Sequence, residues 1–337
     1  MNIKKIGLSA LAGSLAMVSA NAVELAVSGK SEVTYVTQDG GVTGNPFGMG
    51  NSIAFSGSGD VNGMTATYFA AINDNGQSSA VTTEVFASSS LMLDMGDAGT
   101  IGFDQGVGEF GVGTIDDKMP YAYEEIWTNT GASNGLRAAG GSNVLGYKNS
   151  MSGVNLSVEL DPGHSATTGN SGDGASTGAG TTDSGYNFAI TSSELAPGVN
   201  MGAGFGSESQ SGGVNTSDAE YMTGFATYAV GGATVGFQMS EASGGAAGAA
   251  DNEVLIYGAS FSVNENLAIS LNQMTNSYKK AGVSADVDAE TTGIGASYTM
   301  GSAAVRVLAS ETQNLGGANN TGTPDVEHVE VSLMLAF

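Results

Sequence analysis

The chain of 337 residues holds 53 glycines and no cysteine, and although only 12% of its side chains are charged its formal net charge is −24. So acidic a chain argues against nucleic-acid binding, which needs basic side chains on the phosphates, and the lack of cysteine excludes disulfides, thiolate catalysis and thiolate metal sites. Mean hydropathy of +0.02 is too low for a bundle of membrane helices and fits strands that offer one apolar face each.

The first element has the form of a targeting segment. Lys4 and Lys5 precede an apolar run from Ile6 to Val18, and Ala20-Asn21-Ala22 makes an A-x-A cleavage site. Residues 1–22 are therefore expected to be a removed signal peptide, its apolar run being short for a membrane span. Loss of the two lysines takes the net charge from −24 to −26. Residues 23–337 are expected to form one domain.

Period-two alternation begins at once. In 23–35, Leu25, Val27, Val33 and Tyr35 share one face, and Glu24, Lys30, Glu32 and Thr34 the other. The pattern returns in 154–160, 199–205, 233–240, 291–298 and 303–310. It closes the chain in HVEVSLMLAF, where Val329, Val331, Leu333, Leu335 and Phe337 oppose His328, Glu330, Ser332, Met334 and Ala336. Tight turns are expected at 61–63, 96–99, 152–153, 196–198, 231–232, 264–266 and 301–302. Longer connections are expected near 38–50, 74–79, 108–142, 162–184, 209–219, 242–252, 277–288 and 313–325. Seven short and eight long connections join sixteen strands, with both chain ends on the short-turn side.

A tilted strand of ~9–11 residues crosses a bilayer, and in hydrocarbon a sheet must close to satisfy its backbone. The apolar face then meets lipid and the polar face a lumen, which at this strand number is too wide for side chains to fill. The expected fold is thus an all-β, transmembrane antiparallel barrel of sixteen strands. Tyr35, Tyr68, Phe86, Tyr147, Tyr228, Tyr257 and Tyr298, near strand ends, suit interfacial girdles. A soluble β-sandwich would need these apolar faces to build a dry core, and they are rich in Ala, Gly and Met.

The stretch 108–142 breaks the alternation. A long connection in a compact domain is usually functional, and on a wide barrel it can fold inward and narrow the lumen. MPYAYEEIW suits one or two helical turns, with Pro120 in the first and Tyr123, Ile126 and Trp127 spaced to dock on a wall. The acids Glu109, Asp116, Asp117, Glu124 and Glu125 would then line the passage. Lys30, Lys148 and Arg306 lie on polar strand faces and would line the wall, with Lys118 and Arg137 as further pore charges. Bases facing acids across a narrow, low-dielectric passage would bias which ions pass. Pairing of the bases with neighbours such as Glu32 is the competing reading.

Other signals carry less. Gly106 to Gly111 matches GxGxxG but lacks a following βαβ unit. Asp116 and Asp117, or Asp286, Asp288 and Glu290, could hold a structural Ca²⁺, though without EF-hand spacing. His164 and His328 have no Ser/Asp constellation around them, so no enzyme is expected, and no cofactor is needed.

The signal peptide, the sixteen alternating strands, the long acidic third external loop, the run NVLGYKNSMSGVNLSVEL after it and the terminal Phe337 together resemble a Gram-negative general-diffusion porin. The third loop is most similar to that of alphaproteobacterial porins of the Rhodobacter type. As sequence the likeness falls on 100–160 and the C-terminus. It implies a homotrimer in the outer membrane, a third loop at the constriction, and a terminal strand with Phe337 recognised by the barrel-assembly machinery. Three wall bases against many acids depart from the fuller basic cluster common in such porins. The function expected is passive diffusion of small hydrophilic solutes and ions with weak cation preference. A substrate-specific channel, or a plugged barrel serving as adhesin or envelope anchor, is the alternative.

Overall fold

The computed structural model describes residues 25–38, 45–74, 88–127, 136, 142–162, 184–209, 218–243, 251–279, 287–317 and 325–337. Sixteen strands follow in order: β1 Ala26–Gln38, β2 Phe47–Val61, β3 Met64–Asp74, β4 Ser88–Asp94, β5 Thr100–Gln105, β6 Ser142–Met151, β7 Val154–Asp161 and β8 Gly185–Ser192. Then come β9 Val199–Glu208, β10 Ala219–Val230, β11 Ala233–Ala242, β12 Asp251–Ser262, β13 Leu267–Lys279, β14 Val287–Met300, β15 Ala303–Gln313 and β16 Val326–Ala336. Each pairs antiparallel with its sequence neighbours, and β16 pairs with β1, so the sheet is a closed barrel.

The tight turns are set by local chemistry. At the β2–β3 turn Asn62 and Gly63 have φ of 55° and 84°, and at the β6–β7 turn Ser152 and Gly153 have 51° and 78°. Two successive left-handed residues make the hairpin turn whose twist matches that of its strands. The Asp60 carboxylate accepts the Gly63 N–H at 3.1 Å. One boundary differs from the alternation pattern: β4 begins at Ser88, well after a connection placed at 74–79. With β5 it is the shortest strand pair of the barrel, at 7 and 6 residues.

The two faces of each strand are unlike, and the apolar one points out. On β16, Val329, Val331, Leu333 and Leu335 are 40–49% exposed, whereas His328, Glu330 and Ser332 are 1–5% exposed. A soluble fold would bury the first set; a barrel in hydrocarbon exposes it. No helix among the described residues is long and apolar enough to cross a membrane. The terminal Phe337 extends the β16–β1 pairing: it donates its N–H to Gly29 O at 3.0 Å and accepts the Gly29 N–H at 2.8 Å.

Candidate functional site

After β5 the chain turns sharply inward. Gly106, Gly108 and Gly111 have φ of 75°, 83° and 63°, values that suit glycine, so the GxGxxG spacing serves a bend. Asp104 holds it, accepting N–H groups of Val107 at 2.7 Å and Glu109 at 2.6 Å. Phe110 is then seated on the inward face over Gly146, where any side chain would collide with its ring. Ser157 Oγ accepts the Gly111 N–H at 2.8 Å, and Asn187 Oδ1 accepts that of Val112 at 2.7 Å. Glu159 fixes the amide of Asn187, accepting from Nδ2 at 3.0 Å.

From there residues 111–127 run along the inward faces of successive strands. Gln238 on β11 donates to the carbonyls of Ile115 and Asp116 at 3.2 and 3.1 Å and accepts the Lys118 N–H at 3.2 Å. On β13, Asn272 donates to Pro120 O at 3.2 Å and Ser270 accepts the Ala122 N–H at 3.0 Å. These bonds explain a difference from the sequence expectation. Residues 119–127 form no helix, because wall side chains take backbone groups that helical bonds would use; among the described residues of the segment the helical turn is a 3₁₀ turn at Gly111–Thr114.

Apolar contacts fasten the same segment. Val112, Ile115, Met119, Ile126 and Trp127 are buried against Phe225, Val254, Ile256, Met274 and Leu308. A fully buried Val or Ile side chain contributes about 1.5–3 kcal/mol. Glycines make the close approach possible: a Cβ at Gly236 would lie 2.8 Å from Pro120, and one at Gly293 would lie 2.5 Å from Ile126. Gly293→Ala should push Ile126 and the adjacent Trp127 off the wall at a cost of about 1–3 kcal/mol. Trp127 is the only tryptophan, so its emission should shift to longer wavelength; an unchanged spectrum would contradict the packing described.

The tip of the segment reaches the seam where the first and last strands meet. Tyr123 donates its hydroxyl proton to Glu330 Oε1 on β16 at 2.5 Å, and Glu32 Oε1 on β1 lies 3.1 Å from the same oxygen. Arg306 on β15 forms an ion pair with Glu32, donates to Ser332 Oγ at 3.2 Å and stacks over the Tyr123 ring at 4.5 Å. His328 Nε2 lies 3.4 Å from Glu330. Burial, and then the bond to Glu330, push the Tyr123 phenol up, so it stays a donor.

The charged residues singled out in the sequence divide into base–acid pairs and a run of acids on the docked segment. Lys148 is bound by Glu109 at 2.7 Å and lies over the Phe110 ring at 5.4 Å. Arg306 is bound by Glu32, so two of the three wall bases are neutralised locally. The third, Lys30, is exposed on the same face as Glu32, across from Ala336 and Ser52. Asp116, Asp117, Glu124 and Glu125 sit together on the docked segment with Lys118. Burial raises the carboxyl of Asp116. Burial, then the bond and charge of Glu125, raise Asp117 to about 8. Burial, then the charges of Glu330 and Glu32, raise Glu124 to about 7. Arg137, His164 and Asp286 lie outside the described residues, as do residues 1–22 and Phe86. Among the described residues no group of three or more carboxylate or imidazole side chains is placed to hold a metal ion.

Sequence reasoning missed Glu330, Gln238, Asn272 and Asn187 as partners of the segment. It also missed a usable signal. At 254–258 the run VLIYG is apolar on both faces, with Val254 and Ile256 buried inward and Tyr257 exposed outward. An inward face that turns apolar marks where something inside the barrel must lie on it.

A family model described as Gram-negative porin matches residues 7–323. No curated protein matches the sequence. Similar solved structures include a mutant of the Rh. blastica porin, 17% identical over 94% of this chain and 100% of that one, with a TM-score of 0.61. An anion-selective porin from Comamonas acidovorans is 15% identical over 94% and 100%, with a TM-score of 0.64. A loop-deletion mutant of OmpT, an outer membrane protein of Vibrio cholerae, is 12% identical over 94% and 100%, with a TM-score of 0.67. At such identities these likenesses speak for the barrel fold, while the family match covers nearly the whole chain: it belongs to the Gram-negative porins, channel-forming barrels of the bacterial outer membrane.

Proposed function

We propose that the channel passes small hydrophilic solutes and ions by diffusion, that residues 108–142 narrow it, and that it weakly prefers cations. The observation that carries this reading is the segment 110–127 held on inward side chains from β5 round to β1, presenting Asp116, Asp117, Glu124 and Glu125. The nearby Lys148 and Arg306 are already paired with acids, which leaves the local balance negative.

The raised carboxyls give this preference a pH dependence. An acid is neutral below its pKa and charged above it, so a rise in pH first ionises Glu124, near 7, and then Asp117, near 8. Cation preference, read as reversal potential in a KCl gradient across a planar bilayer, should grow between about pH 6 and pH 9. A reversal potential that stays flat over that range, or moves toward anions, would remove these groups from the passage.

The reading includes a homotrimer, removal of residues 1–22 during export, and use of the Phe337 end in barrel assembly. A charge asymmetry supports association through one side. The outward faces of β1, β2 and β4–β9 carry no charged side chain among the described residues, whereas Glu220, Glu241, Glu253, Glu290, Glu311 and Glu327 lie on the outward faces of β10–β16. A detergent-solubilised particle with the protein mass of one barrel would contradict it.

A further inference from the structure

The contacts that seat residues 110–127 fall on β5–β16 and β1, and none of those described falls on β2, β3 or β4. Ala71 and Ser90 on their inward faces are buried, but nearer the short-turn rim Ser56, Ser58, Thr67, Phe69 and Met92 are not. Register places Phe69 across from Ser56, and Thr67 across from Ser58 on one side and Met92 on the other, all on one face. These five residues form part of the wall of a cavity of about 620 Å³ toward the short-turn rim, in which no charged side chain stands among the described residues. That volume lies within the ~300–1,000 Å³ of pockets that hold small organic ligands.

The chemistry of this wall selects among solutes. A hydroxyl group donates and accepts at once, so Ser56, Ser58 and Thr67 suit a ligand whose own groups are hydroxyls. The Phe69 ring and the Met92 thioether offer an apolar surface for a C–H face. An ion finds no counter-charge among the described residues of the wall, and a wholly apolar solute would leave the hydroxyls unpaired. We propose that the Phe69 cavity is a subsite for a neutral, polyhydroxylated ring, sugar-like in its chemistry, which a solute occupies as it passes. The proposal rests on the channel reading above and adds a substrate class to it.

The test uses the full mature chain refolded into planar bilayers, with maltose as probe and a polyethylene glycol of similar mass as control. Maltose should reduce the KCl current along a saturating curve, half-maximal in the millimolar range, and the glycol should not. Phe69→Ala should raise the half-saturating maltose concentration about fivefold or more, with conductance and reversal potential in plain KCl unchanged; Phe69→Tyr should keep the block. If Phe69→Ala does not insert, Ser56→Ala with Thr67→Val tests the hydroxyl side by the same readout. A linear fall in current, an equal block by the glycol, or the same half-saturation in the variant would overturn the subsite. A wild-type barrel with no KCl conductance would instead overturn the channel reading itself.

Discussion

Arg306→Ala is expected to unfasten the loop tip and weaken the barrel seam together. Removing the guanidinium leaves Glu32, Glu330 and Glu124 near one another without their cation, and Tyr123 without its stacking partner. Breaking a buried ion pair by deleting one partner costs about 3–5 kcal/mol. With 17% and 16% of the two side chains exposed, the lower end applies, about 3 kcal/mol. The folded barrel should lose its resistance to SDS at a lower temperature, and the open channel should show excess current noise as the tip moves. Arg306→Lys should recover only part of this, since an ammonium lacks the planar fork that meets carboxylate and ring at once. Tyr123→Phe keeps the ring under Arg306 and loses the bonds to β1 and β16, so it should add noise with a smaller loss of heat resistance. Quiet channels in both Arg306→Ala and Tyr123→Phe would mean that the packing of Ile126 and Trp127 alone holds the tip.

Neutralising the loop acids together, Asp116→Asn, Asp117→Asn, Glu124→Gln and Glu125→Gln, should move the reversal potential toward anions. Each full charge ~10 Å from a passing ion is worth only ~0.4 kcal/mol in bulk water, about twofold in local ion concentration, and more where low-dielectric walls focus the field. Several such charges compound, so the expected change in cation-to-anion permeability is several-fold. It should be larger at pH 9 than at pH 6, because burial and neighbouring acids keep Asp117 and Glu124 largely protonated at the lower value. Equal potentials in the variant and the wild type at both pH values would place these residues away from the conducting path.

The barrel was legible because its determinants are local. Two-residue alternation assigns a face, as in 328–337, and Asn62-Gly63 or Ser152-Gly153 names a hairpin, each without knowledge of distant residues. The inner arrangement was not legible, because its determinants are far apart in the chain. Residues 119–127 read as helical turns on their own spacing. Their backbone groups instead meet Ser270 and Asn272, 148 and 152 positions away. The seam cluster joins Tyr123 to Glu32 across 91 positions and to Glu330 across 207. Alternation placed Arg306 and Lys148 on inward faces, yet only the fold shows each already matched to an acid. A face can be read from period; a partner across a closed cylinder cannot.

The account stands or falls on whether water and ions pass through the closed cylinder with the loop seated inside it. Single-channel recording of the refolded mature chain in planar bilayers measures this directly. Discrete, ohmic steps whose size scales with the bulk conductivity of the electrolyte are predicted. Membranes that stay silent although protein has inserted would contradict it.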